Sequence, residues 1–450
     1  MEITSCTASG RTRGWLCSMN EVLMFLHAFP PAGGGGVIRA VKLVKYLPEA
    51  GWQPVVCTPR ISPAGSLDSS LLSDIPPEVA VHRVGSSFLE FLWHRAAGSL
   101  GYFGPAQKNV NFLNVLVKLK SFLKGLFMFP DEHVFWTPVA FNHFRKISTK
   151  GLPAVVLTSS PPESLHLAGL AVKWAFPEVK WVMEFRDMWG RGHELFPLYL
   201  PLHRMLERGL AQKSDHIVVV TGRMKDSIRR KLNLPAHRVS VVPNGFDPAD
   251  FTCRDGERRE GEKVIIYAGS MNKTRCSAAL LEALAELREE GELRGLKIVL
   301  AGVMDPGYRK MIRQKGLEPI FQYTGFLPHE QAVQNIYRSD WGLATLSAGA
   351  RYADENHIPG KVYEYIGAQK PVLALVPAAG AAGRLIEEHR LGLVAPTGDK
   401  DAVKQALRII MAGTFVPARS GFLQAGLLYS RRQTARRMAE VLDRVCNGGF

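Results

Sequence analysis

Glu21-Val22-Leu23-Met24-Phe25-Leu26-His27-Ala28-Phe29-Pro30-Pro31-Ala32-Gly33-Gly34-Gly35-Gly36-Val37 is the stretch on which the fold is decided. Its apolar run from Val22 to Phe29 reads as a buried strand, and the prolines and four glycines behind it read as a loop. Val37, Val41, Val44 and Leu47 then recur at helical spacing, Gly51 stops the helix, and Gln53-Pro54-Val55-Val56-Cys57 is the next strand. Strand, glycine-rich turn, helix and strand in that order open a nucleotide-type α/β domain with a parallel sheet. The glycines stand where a helix N-terminus offers free N–H groups, and their missing side chains let backbone approach a phosphate or a sugar.

Outward from this unit the pattern repeats. Apolar strands recur at residues 154–158, 179–185 and 216–221, with helical stretches between them. A polar, charge-rich passage at 247–263 separates these from a second series at 264–267, 296–300, 341–344 and 372–375, so the chain holds two α/β halves. A last helical stretch carries Arg431, Arg432, Arg436, Met438, Leu442 and Val445. The expected division is a loose extension over 1–18, a first domain over 19–240, a linker over 241–262, a second domain over 263–424 and a terminal helix over 425–450. Residues 1–18 are polar and patternless, and Met19 is an alternative start.

Composition bounds the function. The 450 residues exceed a small module, and 46% hydrophobic with 22% charged residues excludes global disorder. A net charge of +15 favours an anionic partner: nucleic acid, a phosphorylated substrate or an acidic membrane surface. No basic-aromatic module accompanies the charge, so nucleic acid is not expected. The six cysteines are scattered without a zinc or redox spacing, which suits a reducing cytosol. No apolar run reaches the roughly 18 residues of a membrane span. Phe112, Val115, Leu116, Leu119, Phe122, Leu123 and Leu126 share one face of a helical wheel. Two readings of that stripe stay open, a helix packed on its own sheet and a helix lying on a membrane interface.

Several chemistries are excluded by what is missing. Val37 and Arg39 break the dinucleotide fingerprint after the glycines, and Thr58-Pro59-Arg60 follows the second strand where an acid would be needed. Tyr267-Ala268-Gly269-Ser270-Met271-Asn272-Lys273-Thr274 marks a second strand-to-helix junction, but a Walker loop needs glycines at Tyr267 and Asn272. Lys273 there is placed to reach an anion. Pro359-Gly360-Lys361-Val362-Tyr363-Glu364-Tyr365 opens a further helix, with Lys361 and Glu364 on one face, a cation suited to a diphosphate and a carboxylate suited to paired hydroxyls. Asp399-Lys400-Asp401 has a metal-transferase spacing but reads as a helix start with acids at the positive end of the dipole. No metal site, cofactor or hydrolase triad is expected.

Five segments together resemble the retaining glycosyltransferases of family 4, with GT-B architecture: two Rossmann-like domains facing a cleft and a C-terminal helix returning to the first. They are the strand-Pro-Pro-Ala-Gly-Gly-Gly-Gly opening, Glu184-Phe185-Arg186-Asp187-Met188-Trp189, Val241-Val242-Pro243-Asn244-Gly245-Phe246-Asp247 with Phe251, Tyr267-Ala268-Gly269, and Lys361-Val362-Tyr363-Glu364-Tyr365-Ile366-Gly367-Ala368. The resemblance implies a nucleotide-sugar donor held mainly by the second domain and a glycan or lipid-linked acceptor held mainly by the first. Carried over by position, Lys273 and Lys361 hold the diphosphate and Glu364 the ribose. Gly35, Gly36, Gly269 and Ser270 approach the donor, and Arg186, Asp187 and Trp189 lie on the acceptor side. The chemistry implied is hexosyl transfer without a metal, in which the leaving phosphate takes the acceptor's proton, so no protein nucleophile is needed. An acceptor in surface polysaccharide assembly would place the protein in the cytoplasm or on the inner face of an anionic membrane. The family's Glu-x7-Glu pattern is incomplete, since Asn356 stands where its first acid is expected. A nonhydrolysing nucleotide-sugar epimerase and a non-catalytic sugar-nucleotide-binding scaffold are the alternatives.

Overall fold

The computed structural model describes residues 20–60, 67–85, 128–190, 199–251, 261–271, 275, 277–346 and 353–449. Residues 1–19 and the stripe at 112–127 lie outside the described residues.

Among the described residues thirteen strands form two parallel sheets. The first has seven, β1 (Asn20–Phe25), β2 (Trp52–Pro59), β3 (Ala80–Val84), β4 (Val155–Ser160), β5 (Lys180–Phe185), β6 (His216–Val219) and β7 (Val239–Val241), in the order β3-β2-β1-β4-β5-β6-β7. The second has six, β8 (Lys263–Ala268), β9 (Leu296–Ala301), β10 (Phe321–Gly325), β11 (Trp341–Thr345), β12 (Val372–Leu375) and β13 (Gly392–Ala395), in the order β10-β9-β8-β11-β12-β13. Both are doubly wound, and the protein has the two Rossmann-like units its patterning predicts. Every residue of β4 is buried, as helices on both faces of a parallel sheet require. Val22 pairs with Pro54 on one side and Val155 on the other, so the opening strand is central.

The opening helix spans Gly35–Tyr46, and Val37, Val41 and Val44 are buried against the first sheet as their spacing predicts. The chain's end shares that face. Arg419–Tyr429 and Arg431–Cys446 are two helices rather than one, separated at Ser430, whose hydroxyl accepts the Gln433 N–H as the cap of the second. Ala435, Met438, Leu442 and Val445 of that second helix join Val22, Met24 and Val41 in one core, and the Trp52 indole donates to Asp443 Oδ1 at 2.9 Å. The C-terminal helix therefore returns to the first domain. Asp399 accepts the Ala402 N–H at 2.9 Å as the cap of the Lys400–Ala412 helix, the role its sequence context predicts.

Candidate active site

The loops at the carboxyl ends of the two sheets meet, and the sequence-predicted residues stand on them. In the first domain the meeting point is the switch between β1 and β4, where strand order reverses and α/β sheets place ligands. Gly35 and Gly36 form the first turn of the opening helix. A Cβ at Gly36 would stand 2.1 Å from Arg186 Nη1, so only glycine lets the guanidinium lie against this turn, whereas Gly35 has open space around it. Arg186, one residue beyond β5, is held by donating from Nε to Ser160 O at 3.2 Å and from Nη2 to Pro161 O. Gly36 and Arg186, assigned to opposite substrates, are therefore neighbours.

Behind them lies a buried support. Glu184 is 2% exposed and accepts from Arg39 Nε at 3.0 Å, from Arg39 Nη2 at 2.7 Å and from the Ser159 hydroxyl. Burial alone would raise its pKa, but Arg39 and Ser159 bring it below the usual carboxylate range. Arg39 also donates to Val242 O, Pro243 O and Asn244 Oδ1, tying the 241–247 segment to β5. The Trp189 indole is buried, donates to His203 Nδ1 at 3.1 Å and stacks on His166. Burial keeps His27 and His166 neutral, each pushed down to about 3, with His133 adding to the effect on His27 and Arg186 to that on both.

In the second domain Gly269 follows β8 with φ 120°, a backbone shape that favours glycine. The exposed Ser270 accepts the Tyr267 hydroxyl on its carbonyl at 3.2 Å. Lys361 sits in the first turn of the Gly360–Gly367 helix and is 7% exposed. Its Nζ has no hydrogen-bond partner among the described residues and lies 3.0 Å from the Tyr267 ring centroid, and a Cβ at Gly269 would stand 3.7 Å from it. Burial pushes this ammonium well below its ordinary pKa, Arg275 pushes it further, and Glu364 opposes them. A desolvated amine facing open glycine backbone beside a helix N-terminus is an arrangement suited to an anion. Glu364 is half-buried one turn along, and Lys273 lies outside the described residues.

The two halves touch through these loops. His357 Nδ1 lies 3.6 Å from Asp187 Oδ1. Asn356 is 5% exposed, with its side chain and carbonyl both bonded to the first domain. Its neighbour Glu355 pairs with Arg223. Sequence reasoning assigned nothing to His357, to Arg39 or to Glu163. Glu163 follows Ser160-Pro161-Pro162 at the carboxyl end of β4 and accepts the Gly190 N–H at 3.4 Å. Desolvation pushes its carboxyl up to about 7, with the Asp131 and Asp187 charges adding to the effect. Its place just beyond a central strand, at the sheet's switch point, was the available signal.

Asp74, Asp247 and Asp250 are the acidic group close enough to share a cation among the described residues. Protein ammonium groups already occupy it: Lys42 Nζ lies 2.7 Å from each of the three, and Lys45 bridges Asp74 and Asp247.

Two Rossmann-like domains meeting at the carboxyl ends of their sheets define a GT-B protein. The family model for the glycosyl transferase 4-like domain matches residues 34–245, and that for the glycosyl transferases group 1 matches residues 262–412. The chain belongs to the group 1 glycosyltransferases of family 4. Among curated proteins it is 28% identical over 207 residues to the alpha-D-kanosaminyltransferase of Streptomyces kanamyceticus, covering 44% of this chain and 51% of that one. The chain thus spans about half the length of that relative. Among solved structures, a sucrose-phosphate synthase of Thermosynechococcus elongatus aligns at TM-score 0.65 and 14% identity over 95% of this chain and 100% of its own. The Anabaena protein HepE, in complex with UDP and glucose, aligns at TM-score 0.63 and 14% identity, covering 94% and 99%. At these identities the likeness is one of fold.

Proposed function

We propose that the protein moves a hexosyl group from a nucleotide-sugar donor to a glycan or lipid-linked acceptor with retention at the anomeric carbon and without a metal ion. The observation that carries this is Lys361, a buried ammonium without a hydrogen-bond partner among the described residues, facing glycine backbone in the domain that matches group 1 transferases. Breaking the anomeric C–O bond leaves negative charge on the diphosphate, and a preorganised cation there stabilises the transition state. Lys361, together with Lys273, takes that role, and Glu364 holds ribose hydroxyls. Gly36 and Arg186 border the reacting sugar from the other domain, with Asp187 toward the acceptor. The leaving phosphate oxygen accepts the acceptor's proton on the same face as the departing bond.

HepE, solved in complex with UDP and glucose, and the match to the group 1 glycosyl transferases support a nucleotide-sugar donor. Among the described residues no helix is long and apolar enough to cross a membrane. An acceptor in surface polysaccharide assembly would bring the protein to the inner membrane face by charge.

The test has two steps. Thermal shift against nucleoside diphosphates and nucleotide sugars names the donor, because a ligand of the native state raises its stability. NMR of the product formed with that donor, in EDTA, then reads the anomeric configuration. An inverted product, or activity that EDTA abolishes, would refute the corresponding part of the proposal.

A further inference from the structure

Asn356 occupies the position at which the family resemblance expects the first acid of its Glu-x7-Glu pattern, and the structure spends that residue on the other domain. Its Oδ1 accepts the Ser227 hydroxyl at 3.2 Å, and its backbone carbonyl accepts the Thr221 hydroxyl at 2.7 Å. Thr221 caps the Gly222–Leu232 helix of the first domain by accepting the Met224 N–H, and Ser227 lies in the middle of that helix. One residue earlier, Glu355 Oε2 accepts from Arg223 Nη2 at 2.8 Å, and Arg223 Nη1 reaches on to Ala379 O. One residue later, His357 meets Asp187. Three consecutive residues of the second domain are thus bonded to the first.

We infer that Glu355-Asn356-His357 is an interdomain clasp, and that Asn356 is a positioning residue that sets the donor-side loop against the acceptor-side floor. The chemistry at position 356 follows. A carboxylate there would be desolvated beside the Ser227 hydroxyl, with the nearby Arg223 already paired to Glu355, so its burial would be costly. A neutral amide accepts from the same Ser227 hydroxyl without that cost. Pro359 and Gly360 follow the clasp directly, and the helix they open carries Lys361 and Glu364. Fastening residues 355–357 therefore fixes where those two side chains stand relative to Gly36 and Arg186. The cleft is held shut before any donor arrives, and the consequence for donor binding rests on the function proposed above.

The experiment compares the wild type with Asn356→Ala, Arg223→Glu and the swap Arg223→Glu with Glu355→Arg, all in the full chain. Arg223 and Glu355 are 29% and 45% exposed, so the swap does not threaten the core. Two quantities are read: the small-angle scattering radius of gyration without nucleotide, and the Kd for UDP by calorimetry. Asn356→Ala and Arg223→Glu are expected to expand the molecule. If the closed fraction falls to about a tenth, the apparent Kd for UDP rises ~10-fold. The swap is expected to restore both values toward the wild type, which a merely local defect would not allow. Folded single variants with unchanged scattering curves would overturn the clasp. Should the wild type fail to bind UDP, the scattering comparison still decides the clasp, and the donor reading is judged separately.

Discussion

Replacing Lys361 by methionine should stabilise the empty protein and cripple nucleotide binding, two effects of opposite sign from one atom. The lysine stem and a methionine side chain fill similar space, so the substitution chiefly removes the Nζ that lies against the Tyr267 ring without a hydrogen-bond partner. Leaving a buried polar group unsatisfied costs about 1–3 kcal/mol, more when it is charged. The desolvated cation–π contact returns about 2 kcal/mol of this. The balance favours methionine by ~1 kcal/mol, which raises the melting temperature by roughly 2–4 °C for a domain of this size. In the complex, loss of charge-assisted hydrogen bonds to a diphosphate costs about 1.5–3 kcal/mol. That weakens UDP binding by roughly 10- to 150-fold.

The pH dependence adds an independent check. Burial first, then Arg275, hold the folded-state pKa of Lys361 well below its unfolded value. Between the two values the unfolded chain binds more protons, so wild-type stability rises with pH until the unfolded lysine titrates near ~10.4. The advantage of methionine is therefore larger at the acidic end of that range and shrinks as pH approaches the unfolded value. Thermal denaturation at pH 7 and pH 9.5, with and without UDP, measures all of this. A variant that melts several degrees below the wild type yet keeps its UDP-induced shift would show that Lys361 is a packing residue and sink the anion-site argument.

Four further outcomes are expected. Glu163→Gln should gain stability over the wild type as pH rises from 5 to 8: the folded carboxyl, pushed up from 4.5 to about 7, keeps its proton longer than the unfolded one. Wild-type stability is thus lost through that window, by ~3 kcal/mol at most, and urea midpoints at the two pH values would read the difference. Leu442→Ala, at a fully buried position between the returning helix and the first sheet, should cost about 2–5 kcal/mol in denaturant unfolding. Gly36→Ala should leave the melting temperature near the wild-type value but lower turnover, because its Cβ displaces the Arg186 guanidinium, and steady-state kinetics beside a thermal melt separate the two effects. Asp399→Ala should lose about 1 kcal/mol, the worth of a helix cap, with EDTA making no difference to the stability of either protein.

The strands legible in the sequence and those that escaped it divide by position in the sheet. The apolar runs read from the sequence correspond to β1, β2, β4, β5, β6, β8, β9, β11 and β12, all with neighbours on both sides. The unread strands β3, β7, β10 and β13 are the four sheet edges. An edge strand needs less apolar surface, so its composition loses the signal. Ala80-Val81-His82-Arg83-Val84 has no fully buried residue, and β10 carries Gln322 and an irregular register between Tyr323 and Gly325. The site divides similarly. Lys361 was legible because it stands at a helix start behind a strand and a loop. The part of Glu184 was not, because it is made by Arg39, 145 residues earlier in the chain. Asn356 could be seen to depart from a pattern, but what replaced the pattern depends on Thr221 and Ser227, which pattern alone does not bring near it.

The charge of the opening helix shows why net charge predicts partners imperfectly. Arg39, Lys42 and Lys45 recur at a spacing of three, and on a wheel they read as a basic face awaiting an anion outside the protein. In the fold Arg39 is 1% and Lys42 0% exposed, and their anions are internal: Glu184 for the first, Asp74, Asp247 and Asp250 for the second. Tyr46 donates its hydroxyl to the same Asp247, and His329 of the second domain bonds Asp250 at 2.9 Å. Residues 247–250 are thus anchored on one side by ammonium groups of the first helix and on the other by an imidazole of the second domain. Burial opposes each of these charges, but pairing wins: the Asp247 and Asp250 carboxyls are held below their usual range and His329 above its own. Removing one partner of such a set strands the others, so the network fixes this segment more firmly than chain stiffness would. The three cations and four carboxylates of this set cancel to within one charge, so the +15 excess free to attract a nucleotide or a membrane lies elsewhere on the molecule.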